Sequence, residues 1–151
     1  MKTEYTIREA GPGDIEALTG LLKILFAIET DFIFDEIKQL RGLQLMLGAA
    51  DKHCIMVAEV GGQVIGMCTA QLLVSTAEGG MAALVEDMVV ASEYRQQGIG
   101  KHLLLSIEDW AVRQGATRLE LLADRMNTPA LEFYQRMNWR QTRLICLHKK
   151  Y

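Results

Sequence analysis

The chain has 151 residues, half of them hydrophobic, with only two prolines and a net charge of −3. This length supports a single domain over residues 1–151 with a proper core, and the apolar content excludes intrinsic disorder. The mild negative charge gives no electrostatic footprint for nucleic acid. Cys54, Cys68 and Cys146 are odd in number, widely spaced and set in apolar runs. They read as buried free thiols in a reducing compartment, with no metal-ligand pairing among them. The opening stretch MKTEYTIREA lacks an apolar signal region, and no run approaches the ~20 apolar residues that span a bilayer. The expectation is a cytoplasmic protein with no membrane partner and no metal.

Residues 5–9 alternate Tyr and Ile with Thr and Arg, as a short strand does. Gly11-Pro12-Gly13 breaks it, and Asp14 stands where an N-cap belongs. Ile15, Leu18, Leu21, Leu22, Leu25 and Phe26 trace a helical stripe. After an irregular segment, Ile37, Leu40, Leu43, Leu45 and Leu47 mark a second helical pattern, with no clear boundary between the two. Residues 54–60 and 63–70 read as strands joined by Gly61-Gly62, a strong hairpin signal because both turn residues take positive φ freely. The second strand runs on to about Val74, a small polar loop covers 75–80, and 81–90 form a third strand. Three such strands in sequence predict an antiparallel meander.

A polar turn with Glu93, Tyr94 and Arg95 follows, and Gln96-Gln97-Gly98-Ile99-Gly100 opens a helix. Ile99, Leu103, Leu104, Ile107, Trp110 and Ala111 form one face of it, and Gly115 closes it. Residues 119–123 read as a short buried strand and 124–127 as a turn. Thr128-Pro129 read as a cap with proline at the first helical position, ahead of Leu131, Phe133, Tyr134 and Met137. Residues 141–148 read as a last strand. A mostly antiparallel first half followed by βαβαβ gives a mixed α/β (α+β) sheet.

A strand that delivers a glycine-bearing loop into a helix N-terminus is a device for holding phosphate. Glycines let the backbone approach without a Cβ in the way. The motif R-x-x-G-x-G is weak by itself and reads as easily as a tight turn before a helix. The next βα junction, roughly 30 residues on as adjacent βα units require, carries Asn127 and then Tyr134.

In these stretches the chain resembles the GNAT superfamily of N-acetyltransferases. The resemblance is most specific from Val85-Glu86-Asp87-Met88-Val89-Val90 through Arg95-Gln96-Gln97-Gly98-Ile99-Gly100, and continues at Asn127-x-x-Ala130-x-x-x-Tyr134. It implies a mixed, mostly antiparallel sheet flanked by helices, with acetyl-CoA held as cosubstrate between two splayed strands. It implies that Arg95, Gln96, Gln97, Gly98, Ile99 and Gly100 hold the pyrophosphate. It also implies that Met88, Val89 and Val90 hold the acetyl group and pantetheine beside a β-bulge, that Asn127 contacts the cofactor and that Tyr134 lies by the sulfur. Many members carry glycine-phenylalanine after the last helix, where this chain has Asn138-Trp139. Asparagine is the next best residue for a left-handed cap.

Thioester aminolysis needs an unprotonated amine, a stabilised oxyanion and a proton for the thiolate. Tyr134 is the candidate acid, its alternative being a core aromatic beside Phe133. Glu86 is the candidate base and reads equally as a strand-end carboxylate in solvent or in a salt bridge, with Asp87 as its substitute. His53 and His102 receive no role. Glu29, Asp31, Asp35 and Glu36 form an acidic run that reads first as a solvated face and second as an attraction for a cationic acceptor. The leading expectation is direct acetyl transfer to a primary amine of a small molecule or peptide. The alternatives are a protein N-acetyltransferase and a non-catalytic acyl-CoA-binding module. The last strand offers an edge for a homodimer.

Overall fold

The computed structural model describes residues 2–151. Two compact units are distinguished, one through Glu120 and one from Leu121 to Tyr151.

The first unit opens with strand β1 (Thr6–Glu9) and helix α1 (Ile15–Ile28), separated by a 3-10 turn at Pro12–Asp14. Asp14 sits at the N-cap position but does not cap α1 with its side chain. Its carboxylate instead accepts the Gly11 N–H at 2.8 Å and pairs with Arg8 at 2.8 Å, so the expected cap fastens the loop. Helix α2 (Glu36–Leu47) starts at a boundary that was not legible from the apolar pattern. Asp35 is its N-cap and accepts from the Lys38 N–H at 3.3 Å.

The meander is as expected: β2 (His53–Val60), β3 (Gln63–Ser75) and β4 (Gly80–Val90) pair antiparallel in order. Gly61 and Gly62 take φ of 54° and 82°, the two positive values a tight hairpin needs. Helix α3 (Ile99–Arg113) then carries the chain to β5 (Ala116–Leu121), which begins and ends earlier than the expected 119–123. The five strands form one mixed sheet in the order β1-β2-β3-β4-β5.

The predicted apolar stripes of α1 and α3 face the sheet. Leu18, Leu21, Leu22 and Leu25 from α1 are buried, as are all six predicted core residues of α3. Burying side chains of this size contributes ~1.5–3 kcal/mol each. The α2 pattern is only partly core: Leu43 is buried, whereas Ile37 and Leu45 are each 69% exposed. Their 3.6-residue spacing signals a helix, but the stripe is wider than the surface available to cover it. Helix α3 lies so close to the sheet at Gly66 that an added Cβ would meet Leu103 Cδ1 at 3.2 Å and the Val89 carbonyl oxygen at 3.3 Å. That contact fixes α3, and hence its N-terminus, against the end of β4.

The second unit contains helix α4 (Thr128–Arg136). Its N-cap is Asn127, one residue before the predicted Thr128. Its C-terminus closes as the Asn-for-Gly reading anticipated. Asn138 has φ of 68°, its N–H donates to the Gln135 carbonyl at 3.0 Å, and the Trp139 N–H donates to that of Tyr134 at 2.9 Å. These are the two bonds of a Schellman motif.

Residues 141–148 are a correction, because they form no strand. Leu144, Ile145 and Leu147 are 87%, 68% and 83% exposed. An alternating segment becomes a strand only when a ladder takes its N–H and C=O groups, and no described strand pairs with it. Cys146 is exposed for the same reason, whereas Cys54 and Cys68 are buried free thiols as expected.

Candidate active site

The glycine loop is built by two left-handed residues. Gln96 has φ of 61° and Gly98 has φ of 84°, with Gln97 between them. A turn of this kind gathers successive N–H groups on one concave side. Gly98 is the N-cap of α3, where no side chain caps the helix, and the first turn holds no acidic residue. Lys101 and His102 stand there instead. The amide donors and the positive end of the helix dipole are thus left to an external anion.

The loop is tied back to the sheet. Arg95 Nε donates to the Val90 carbonyl oxygen at 2.8 Å, and the Ala91 N–H donates to that of Ile65 at 2.8 Å. Gln97 Nε2 reaches the Glu93 carbonyl at 3.5 Å, while its buried Oε1 has no hydrogen-bond partner among the described residues.

Just before Val89, β4 is bulged. Met67 pairs with Val89 and Thr69 with Glu86, so Cys68 alone faces both Asp87 and Met88. The extra residue is Asp87, which takes φ of 50°. Aspartate tolerates that conformation better than most side chains. A bulge interrupts the ladder between Glu86 and Val89 and takes the backbone groups there out of regular pairing.

The two carboxylates differ. Glu86 is exposed, whereas Asp87 is half-buried. Burial pushes the Asp87 carboxyl up to about 7, with Glu86 and Glu29 adding like-charge repulsion. The Thr69 hydroxyl, 3.4 Å from Asp87 Oδ2, opposes the rise. The neighbouring Cys68 thiol is driven upward by burial and stays neutral.

Asn127 and Tyr134 belong to the second unit. Asn127 Oδ1 accepts the Ala130 N–H at 3.2 Å, which leaves its amide hydrogens as donors for a ligand. The Tyr134 ring lies 5.3 Å from that of Phe133 and 6.2 Å from that of Trp139, centroid to centroid.

The first unit therefore brings Glu86, Asp87, Met88, Val89 and Val90 into line with the loop from Arg95 to Gly100. The influence of Glu29 on Asp87 was missed. The two residues lie far apart in sequence, and only the packing of α1 on β4 relates them. The acidic run was visible, but not which member faces the strand.

A glycine-loop helix N-terminus thus stands beside a bulged antiparallel strand. The profile of the "Acetyltransferase (GNAT) family" matches residues 21–139, and the chain belongs to that family. It is 34% identical over 86 residues to N-acetyltransferase family 8 member 2 of Rattus norvegicus, covering 57% of this chain but only 38% of that protein's length. It is 28% identical over 156 residues to streptothricin acetyltransferase of Streptomyces lavendulae, covering 89% and 81% of the two chains. Among solved structures, the aminoglycoside N-acetyltransferase AAC(6')-Iy in complex with CoA superposes with a TM-score of 0.85. The superposition has 20% identity and covers 99% of this chain and 97% of that one, a likeness of fold.

Proposed function

We propose that residues 1–151 act as one catalytic domain, an N-acetyltransferase that moves the acetyl group of acetyl-CoA directly to a primary amine. The observation that carries this reading is the uncapped, acid-free N-terminus of α3 at left-handed Gly98, next to the bulge of β4. Family membership supports acetyl-CoA as cosubstrate, with no metal needed. Streptothricin and the aminoglycosides, for which two of the similar proteins are named, favour a small-molecule acceptor over a peptide or protein amine. The retained Tyr134 and the carboxylates of Glu86 and Asp87 favour an enzyme over a non-catalytic acyl-CoA-binding module.

In this reading Arg95, Gln96, Gln97, Gly98, Ile99 and Gly100 hold the pyrophosphate, and the Asn127 amide makes a further cofactor contact. Backbone groups of Met88, Val89 and Val90 hold the pantetheine arm and polarise the thioester carbonyl. Exposed Glu86 draws an ammonium acceptor to the strand. Tyr134, assigned on its motif position, returns a proton to the thiolate, since a phenol near pKa 10 can protonate a sulfur whose conjugate acid lies near 8.5. Free Cys54 and Cys68 support a reducing, cytoplasmic setting. The apolar side chains exposed at 144–147 support pairing with a second copy, which light scattering on the eluting protein measures.

The test is release of free CoA thiol from acetyl-CoA against amines, amino acids, polyamines, aminoglycosides and peptides. Turnover with one of the small amines is expected. A protein stabilised by acetyl-CoA that turns over none of these acceptors would be a binding module.

A further inference from the structure

We propose that Asp87, and not Glu86, takes the proton that an ammonium acceptor must lose, and that Glu29 and Thr69 tune it for that task. The inference rests on the acetyltransferase reading. In an unbulged β4 the side chains would alternate strictly, and Glu86, between Leu84 and Met88, would be the natural choice. The strand is not regular there. Asp87 is the residue inserted opposite Cys68, and its left-handed backbone removes it from the alternation. Its carboxylate lies 3.4 Å from the Oγ1 of Thr69, a residue only 1% exposed, at the foot of the segment assigned to the thioester.

The surroundings explain why this carboxylate suits the chemistry. From β4 itself comes Glu86, from β3 come Cys68 and Thr69, and from the C-terminal end of α1 comes Glu29. Both charged groups acting on Asp87 are carboxylates. The last turn of α1 contains no basic residue, so the negative end of that helix dipole is not neutralised by its own side chains. Burial first, then Glu86 and Glu29, lift Asp87 to about 7, where a base is half ionised and still able to accept a proton. The same negative field favours an acceptor that arrives as an ammonium ion.

The step balances as follows. The Asp87 carboxylate takes one proton from R–NH3+, leaving R–NH2 and a neutral carboxylic acid. The nitrogen lone pair then forms the N–C bond to the thioester carbonyl. Collapse of the tetrahedral adduct breaks the C–S bond. Tyr134 gives its hydroxyl proton to the departing thiolate, and the second N–H proton passes to the resulting tyrosinate, which restores the phenol. Asp87 releases its proton to water before the next turnover.

Two variants distinguish tuning from mere packing because they act with opposite signs. Glu29→Gln removes a like charge, so the acid limb of kcat/KM should move to lower pH. Thr69→Val removes a hydrogen bond to the ionised form, so the limb should move to higher pH. Asp87→Asn should abolish the limb and lower kcat by about 100-fold or more. Glu86→Gln should keep the limb and shift it slightly downward. Retention of the acetyl-CoA-induced rise in melting temperature shows that each variant is folded and loaded. A limb that survives in Asp87→Asn and vanishes in Glu86→Gln overturns the assignment. Carboxyl NMR of the holoenzyme supplies a readout independent of turnover. Asp87 should titrate near 7, and titration in the usual carboxylate range overturns the proposal even if acetyl transfer is established. Failure of every amine to turn over, with Asp87 still titrating near 7, would count against the acetyltransferase reading itself.

Discussion

Arg95 Nε donates a hydrogen bond to the carbonyl oxygen of Val90 at 2.8 Å, tying the first residue of the glycine loop to the last residue of β4. The glycine loop and the bulged strand are thereby held as one piece. In the proposed reading, a cosubstrate gripped at its pyrophosphate would have its thioester presented at a set distance along the strand, which is how remote binding becomes positioning at the reacting carbon.

Arg95→Ala should therefore loosen both ends at once. The side chain is exposed, so stability should barely change, while the dissociation constant for acetyl-CoA rises severalfold to tenfold. Calorimetric titration measures this. Unaltered affinity would mean that the loop holds its shape without the tie.

Gly98→Glu attacks the loop directly. The site has φ of 84°, which a side chain resists, and the new carboxylate would stand where phosphate is expected. Acetyl-CoA should raise the melting temperature of the wild type and leave that of the variant unchanged. An equal shift in both would remove the pyrophosphate assignment.

The loop and its helix were legible because their signals are local. Glycine spacing, a run of apolar residues at helical period and Gly115 all act within a few neighbours. Gln96 was not legible as a left-handed residue, since glutamine carries no preference for that conformation. The bulge at Asp87 was expected near Met88 to Val90 only from the family resemblance, because its register is a property of β3 and β4 together. Residues 141–148 failed for the opposite reason. Alternation there is a sound strand signal, but it names no partner, and the partner decides whether the strand forms.

Gly66→Ala should destabilise the protein by ~1–3 kcal/mol in chemical denaturation. The added methyl would meet the backbone oxygen of Val89 at 3.3 Å as well as Leu103, and a backbone oxygen in a ladder yields less than a side chain. A neutral result would show that α3 can shift away from β3. In that case acetyl-CoA affinity should fall, since the N-terminus of α3 moves with it.

Arg8 bonds both Asp14, at 2.8 Å, and Glu59, at 2.6 Å, linking the loop before α1 to β2. The Arg8 hydrogen bond, with help from the Gly11 N–H, holds the Asp14 carboxyl below its usual range against the cost of burial. A depressed carboxylate contributes stability that is complete above its unfolded pKa of about 3.9 and is lost as pH falls through the lower folded value. Arg8 is 40% exposed, so solvent screening limits the contribution to about 1 kcal/mol. Asp14→Asn should lower the melting temperature at pH 6 and converge on the wild type near pH 2. A gap that stays constant with pH would assign the loss to packing.

Tyr134→Phe isolates the hydroxyl, because phenylalanine retains the ring contacts with Phe133 and Trp139 that place the side chain within α4 and its cap. If the hydroxyl protonates the leaving thiolate, its loss falls on the transition state alone. The value of kcat should drop about 100-fold, while the affinity for acetyl-CoA stays within about twofold. The basic limb of the kcat profile, which reports the acid in the loaded enzyme, should disappear as well. Thioesters with more acidic thiols need less help in leaving, so the variant's deficit should shrink with an activated acetyl donor. Equal deficits for good and poor leaving groups would make Tyr134 a packing residue and send the search for the acid elsewhere.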